Sequence, residues 1–333
     1  KQLFILALFH TFAEIVLYFW PEMMSQIPDL AGGNGQQKRK ILSGGEYNKI
    51  CRFINGFHGL AIDCEFELRN RFFRDVEPMA LTCILQSELF NRSRGHWKQD
   101  QRGKRLLKAY EEQKNLYYDN ALLIRMACAE ALNPVALCRM LLQEKYKDRH
   151  RSHISQLLRH PHLIDDPKLA ANVQQCIVSD NQEGSITDLR RRIVGEEYEL
   201  KLKNLAKEAG IHFYDEKDLR RMGYDKTPDI KMILPFLYKG SVINWIESKA
   251  NFGDTKGHKS NIQQQLQSYC NRFGPGMIIY WFGYHEETPA LPDNNIGITV
   301  LADFPAKEDL VFMQLAHEEY SAETPTTKED SSS

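Results

Sequence analysis

The 333-residue sequence has no excess of either charge: 43 Lys and Arg stand against 44 Asp and Glu, a formal net charge of −1. The field of the whole molecule therefore cannot hold a polyanion, and any nucleic-acid contact must come from local clusters. There is also no C-x-x-C pair among the seven scattered cysteines (Cys51, Cys64, Cys83, Cys128, Cys138, Cys176 and Cys270), so zinc and dithiol signatures are missing and a reduced compartment fits. The Gly-Gly-Asn-Gly run at 32–35 lacks the Lys-Ser/Thr of a phosphate-binding loop and is assigned no chemistry. One long apolar run occurs early, Leu3 to Trp20, but His10 and Glu14 interrupt it. It has neither a basic start beyond Lys1 nor a small-x-small cleavage site. Residues 1–40 are expected to be an atypical extension and linker, with no stable membrane association.

What is present is enough apolar sequence, 42% of residues, for at least one sizeable core and two domains. Residues 41–180 show helical spacing and almost no alternation, which predicts an all-α domain. Two segments within it read as helix-turn-helix units. One runs through Glu65–Phe73, a break at 75–78, and Met79–Phe90; the other pairs Ala121–Ala131 with Pro134–Tyr146, where Asn133 can cap the second helix. Such a unit can place a helix in a DNA groove, or pack as a hairpin. Arg92, Arg94, Lys98, Arg102, Lys104, Arg105 and Lys108 lie near one acid, Asp100, with His96 and Trp97 interleaved. They can neutralise phosphates, or form a solvated loop. The later basic run with His150, His153, His160 and His162 has no zinc spacing and reads as a solvated helix end. Residues 181–310 change texture: a long helix from about Ile186 to Ala209, then short apolar runs punctuated by Gly and Pro, which predict an α/β domain. Residues 311–333 end in a polar, low-complexity tail.

The chemistry-bearing residues fall in this second part. Lys239-Gly240 suits a tight turn between two strands, the first opening at Asp229 and the second ending at Glu247-Ser248-Lys249. Period-two alternation then projects Trp245, Glu247 and Lys249 from one face. A carboxylate and an ammonium at the end of an apolar strand are costly to bury without partners or purpose. Asp229 and Glu247 offer hard oxygen ligands for Mg²⁺ or Mn²⁺, and Lys249 can orient or deprotonate a water; a plain ion-paired strand end is the alternative. Upstream, Glu199 lies on the helix that Gly210 ends; Glu197 is the alternative acid. Downstream, Gln265 and Tyr269 are four apart on one helical face.

In this order Glu199, Pro228-Asp229, Glu247-Ser248-Lys249 and Gln265-x-x-x-Tyr269 resemble the PD-(D/E)XK nuclease superfamily. Taken with Tyr224-Asp-Lys-Thr-Pro-Asp, Trp245-Ile-Glu-Ser-Lys-Ala, Asn271-Arg-Phe-Gly-Pro-Gly and Ile278-Ile-Tyr-Trp, the chain is similar to the TPD-motif proteins, the codanin-interacting nuclease family. The resemblance implies a restriction-endonuclease-like α/β nuclease core behind a helix-turn-helix-like helical domain. It implies Asp229, Glu247 and the Ser248 carbonyl as metal ligands, Lys249 serving the attacking water, Glu199 assisting, and Gln265 and Tyr269 hydrogen-bonding near the metal or the nucleic-acid backbone. It implies hydrolysis of DNA, with RNA left open as a substrate, a codanin-like protein partner, and residence in nucleus and cytoplasm. The alternative function is a nucleic-acid-binding or adaptor protein with weak or no hydrolysis.

If the 92–108 cluster holds phosphates, neutralising its six Arg and Lys residues from Arg92 to Arg105 lowers nucleic-acid affinity. Each lost contact reduces the slope of log affinity against log salt by roughly 0.9 on duplex DNA; a filter-binding salt titration measures it.

Overall fold

Ser43 and Glu46 cap one another at the start of the first helix, α1 (Gly44–Gly56): the Ser43 hydroxyl accepts from the Glu46 N–H, and the Glu46 carboxylate accepts from the Ser43 N–H. The structure, a computed structural model, describes residues 38–96, 101–116, 120–182 and 185–312. The expectations for residues 1–37, for Trp97, Lys98 and Asp100, for the side chains of Arg94 and His96, and for the tail from 313 lie outside the described residues. Helices continue with α2 (Ala61–Glu67), drawn out by a π turn at Leu68–Phe72, then α3 (Pro78–His96), α4 (Arg102–Gln113) and α5 (Leu122–Ala129). They end with α6 (Pro134–Lys145), α7 (Arg151–Arg159), α8 (Pro167–Val178) and the long α9 (Ser185–Glu208). Asn133 caps α6 as its sequence predicts, accepting from the N–H groups of Val135 and Ala136, with Pro134 in the first turn. His150 caps α7 through its imidazole, which accepts from the Ser152 N–H. That use of a histidine carries no sequence signal beyond its place before the helix.

The rest is a mixed sheet. Its strands are β2 (Phe213–Asp215), β3 (Ile230–Tyr238), β4 (Ser241–Lys249), β5 (Gly276–Tyr280) and β7 (Ile298–Leu301), side by side in that order. A two-residue parallel pair, β1 (Ile41–Leu42) with β6 (Tyr284–His285), stands apart, and β8 (Leu310–Phe312) joins the free stretch of β3. The first three strands are antiparallel, whereas β4, β5 and β7 are parallel. The β3–β4 hairpin turns at Lys239 and Gly240, with φ of 48° and 81°. Two consecutive positive φ values are what a two-residue hairpin needs, and Gly240 adopts one without penalty. Between β2 and β3 lies α10 (Glu216–Arg221). Between β4 and β5 lies a continuous helix made of α11 (Thr255–Asn261), a π turn (Ile262–Leu266) and α12 (Gln267–Phe273).

Alternation along β4 and β5 divides the interior. Ile246, Met277, Ile279 and Trp281 enter one core, Trp245, Ile278 and Tyr280 another. The first also contains Leu202 and Ala206 of α9 and the buried faces of α1 and α3, including Ile50, Ile54, Leu81 and Leu85. The second packs Ile262, Leu266 and Tyr269 on the opposite face of the sheet. Gly276 lies flat against the Trp245 indole, where a Cβ would fall 2.2 Å from ring carbons. A third core is confined to α4–α8, from Leu106 to Cys176. The division in packing thus falls inside the helical region, between α3 and α4, because the apolar face of α3 meets the sheet.

The two helical pairs each pack an apolar face: α6 buries eight of its twelve residues, and α3 buries Ala80, Leu81, Ile84 and Leu85 while Phe90 and Asn91 stay exposed. Of the described basic cluster, Arg92 donates to the Ile54 carbonyl and to Asn55. Arg102 is buried, and its guanidinium donates to the Glu130 carbonyl and carboxylate, the latter at 2.9 Å. Arg105 shares that carboxylate at 2.6 Å. Positive charge in sequence does not reveal whether an acid waits 25 residues away.

Arg102→Ala is therefore expected to destabilise the α4–α8 helices, by about 1–3 kcal/mol for a buried charged hydrogen bond, read as a lower melting temperature. Lys104→Ala, at an exposed position, leaves it unchanged within about 0.5 kcal/mol.

Candidate active site

Two carboxylates meet at the end of the β3–β4 pairing opposite its turn, where β4 is still paired with β5. Asp229 sits in the loop just ahead of β3, and antiparallel pairing of Ile230 with Ile246 brings it beside the end of β4. There its Oδ2 accepts from the Ser248 N–H at 2.7 Å. The polar backbone groups of successive strand residues point to opposite sides. The Lys249 carbonyl is taken by the Trp281 N–H at 3.0 Å on the β5 side; the N–H and carbonyl of Ser248 consequently face Asp229. The Ser248 hydroxyl accepts from the Trp281 indole N–H at 2.8 Å, which pins this residue from the other face of the sheet.

Glu247 is 4% exposed. Its Oε1 accepts from the Lys249 ammonium at 2.6 Å, and among the described residues its buried Oε2 has no hydrogen-bond partner of good geometry, although the Asp229 backbone N–H also favours the charged carboxylate. Lys249 also donates to Gln265 Oε1 at 2.9 Å. Burial, then the neighbouring Glu247 charge, pushes the Asp229 carboxyl well above the ordinary range. Burial raises Glu247 as well, against the pull of Lys249. Burial works against the Lys249 ammonium, but attraction to Glu247 and the hydrogen bond between them outweigh it and hold the amine above its usual value. Lys249 is thus a cation.

The remaining expected residues fall as follows. Glu199 of α9 is half-buried. Its carboxyl is raised by burial and opposed by Lys203, and its charge is felt by Asp229, Glu247 and Lys249. Glu197 is exposed and acts on Tyr198 and Lys201 instead, so of the two acids Glu199 faces the site. Gln265 lies in the π turn, an irregularity frequent at functional sites. Tyr269 is brought near but points elsewhere: its hydroxyl donates to the Thr227 carbonyl at 2.8 Å, and its ring packs edge-on against Trp245. Arg272, one turn beyond Tyr269, was not singled out by sequence; it donates to the Lys226 carbonyl and pairs with Asp225. Its spacing from Tyr269 was the available signal. Among the described residues no three His, Cys, Asp or Glu side chains gather into one group able to hold an ion, so the site is a carboxylate pair.

A mixed α/β fold with paired acids and a lysine at the end of a central strand defines the class of site. Residues 165–304 match the family model described as a protein of unknown function with a TPD sequence motif. The chain is 32% identical over 283 residues to CDAN1-interacting nuclease 1 of Danio rerio, covering 83% of this chain and 93% of that protein. To the proteins of the same name in Xenopus laevis and Homo sapiens it is 39% identical over 197 residues and 40% over 178. Those two alignments take in 58% and 52% of this chain, and 64% and 62% of the respective relatives. No solved structure matches. The chain belongs to the TPD-motif family of CDAN1-interacting nuclease 1 proteins.

The raised carboxyls have a signed consequence. Between the unfolded pKa of Asp, near 3.9, and the higher native one, the native state binds more protons, so metal-free stability falls as pH rises through that window. Asp229→Asn, which keeps an acceptor for the Ser248 N–H, is expected to raise the melting temperature of metal-free protein at pH 7–8. The gain disappears as pH is lowered toward about 4; thermal melts across pH measure both.

Proposed function

We propose that this chain is a metal-dependent nuclease of the PD-(D/E)XK, restriction-endonuclease-like type, hydrolysing phosphodiester bonds in DNA with Mg²⁺ or Mn²⁺. The observation that carries this reading is the buried Glu247 carboxylate beside Asp229, whose Oε2 has no hydrogen-bond partner of good geometry among the described residues while Lys249 neutralises the other oxygen. A buried acceptor left unsatisfied costs on the order of 1–3 kcal/mol, and a cation would satisfy it. Asp229, Glu247 and the Ser248 carbonyl would hold the ion. They are hard oxygen donors of the kind Mg²⁺ accepts, and so short a set suits an ion that commonly keeps several waters. When bound, such an ion polarises a phosphate and lowers the pKa of an attacking water.

The chain's own residues then divide the work. An ammonium has three N–H donors; Glu247 and Gln265 take two of those on Lys249, and the third is left for a water or a phosphate oxygen. Held as a cation, Lys249 orients the nucleophile and offsets negative charge on the phosphate. Gln265 fixes the amine's direction. Glu199, with its raised carboxyl, is the candidate to take the proton. The relatives' name, CDAN1-interacting nuclease 1, supports both the nuclease reading and a codanin-like protein partner for this chain; residence in nucleus and cytoplasm is part of the proposal.

Purified protein is to be assayed on single-stranded, duplex, flapped and branched DNA, and on RNA, with and without Mg²⁺ or Mn²⁺. Asp229→Ala and Glu247→Ala are expected to abolish metal-dependent cleavage with the circular dichroism spectrum unchanged. Lys249→Ala slows it by roughly 10²–10³-fold, the effect of losing a positioned donor to developing negative charge. Full activity in both acid variants overturns the site.

A further inference from the structure

Asp229 belongs to no regular element. The chain from Met222 to Asp229 forms turns, bends and open coil between α10 and β3, yet its last side chain is half-buried and directed at one amide. Something outside the loop must fix it. Three consecutive carbonyls of the loop each accept from a side chain on a neighbouring helix: Asp225 from Arg220 of α10 at 3.1 Å, Lys226 from Arg272 of α12 at 3.0 Å, and Thr227 from Tyr269 of α12 at 2.8 Å. The loop answers with the Lys226 ammonium, which donates to the Gln264 carbonyl at 2.8 Å. Arg272 also pairs with the Asp225 carboxylate at 2.7 Å and lies over the Tyr224 ring, which packs against Phe273.

We infer that Tyr269 and Arg272 are positioning residues, whose role is to hold the backbone of 225–227 so that the Asp229 carboxylate meets the Ser248 amide. Residues three apart share a helical face, so both reach the loop from one side of α12. Burial and the nearby Glu247 and Asp229 charges push the Tyr269 phenol far up. It therefore keeps its proton, and the Thr227 carbonyl is where that proton is donated. The same helix, through Gln265 on its π turn, holds Lys249. One element thereby sets both arms of the site, the Thr-Pro-Asp arm by Tyr269 and Arg272 and the Glu-Ser-Lys arm by Gln265. The metal-affinity part of the following test rests on the nuclease reading above; the exchange part does not.

The experiment compares full-length wild type with Tyr269→Phe, Arg272→Ala, Arg272→Lys and Gln265→Ala. Amide hydrogen exchange is followed at Ser248 and Lys249 in metal-free protein, and Mn²⁺ affinity by calorimetry. The Ser248 amide relies on Asp229, whereas Lys249 lies in the β4–β5 ladder. Loss of one clamp hydrogen bond is expected to speed Ser248 exchange and weaken Mn²⁺ binding by roughly fivefold to tenfold each, with Lys249 exchange and the melting temperature little changed. Arg272→Lys restores part of the effect, since a single ammonium can serve one acceptor but not the fork. Gln265→Ala, acting on the other arm, leaves Ser248 exchange alone. If Tyr269→Phe loses its fold, the two Arg272 variants, at a half-exposed position, decide the matter. Wild-type-like Ser248 exchange in folded Tyr269 or Arg272 variants overturns the inference. Faster Ser248 exchange in those variants, with no Mn²⁺ binding by wild type, upholds the clamp and overturns the metal site instead.

Discussion

Setting the half-buried Asp229 beside the buried Glu247 is opposed twice, by the hydration that each charge loses and by their mutual repulsion. What makes it sustainable is Lys249, two residues along the same strand face, whose ammonium lies 2.6 Å from Glu247. The compensation is incomplete: one ammonium faces two acids, Glu247 Oε2 has no partner of good geometry among the described residues, and both carboxyls remain raised. A stably folded protein ordinarily satisfies buried polar atoms. An unsatisfied one next to a second acid is a local cost in stability that the rest of the fold must carry.

Everything around the pair limits how that deficit is arranged. The β3–β4 pairing brings the two acids together, the Trp281 indole fixes Ser248 from behind, and the 255–273 helix restrains both Lys249 and the loop before β3. Because α9 contributes Leu202 and Ala206 to the core beneath the sheet, Glu199 is carried to the site by packing rather than by any bond of its own. The helices α1 and α3 belong to that same core. A change in their apolar residues would reach the acids through the sheet rather than through solvent.

Much of this was legible in sequence wherever a period or a turn carries it. Lys239-Gly240 announces a hairpin, and alternation along β4 places Trp245, Glu247 and Lys249 on one face. Asn133-Pro134 announces a capped helix. What was not legible depends on a partner far along the chain. Helical spacing shows that α3 and α6 have apolar faces, but not that the face of α3 joins the core lined by the sheet while that of α6 joins a separate helical core. The sign of Arg102 does not disclose Glu130. The Gln-x-x-x-Tyr spacing gave the shared face of Gln265 and Tyr269, yet the acceptor of Tyr269 is a backbone carbonyl 42 residues upstream. A main-chain oxygen has no letter in the sequence.

The contact between Gly276 and Trp245 has a consequence for how such chains can diverge. A Cβ at 276 would lie 2.2 Å from the indole, far inside van der Waals contact, and the indole cannot retreat because its N–H donates to the Gly274 carbonyl at 2.8 Å. Neither position can drift alone. Over evolutionary time 245 and 276 are coupled sites, free to change only as a pair in which a smaller ring or an aliphatic side chain makes room for the new methyl group. Since Trp245 also shares its strand face with Glu247 and Lys249, that steric bargain confines variation in the strand bearing the site even where the chemistry itself would tolerate it.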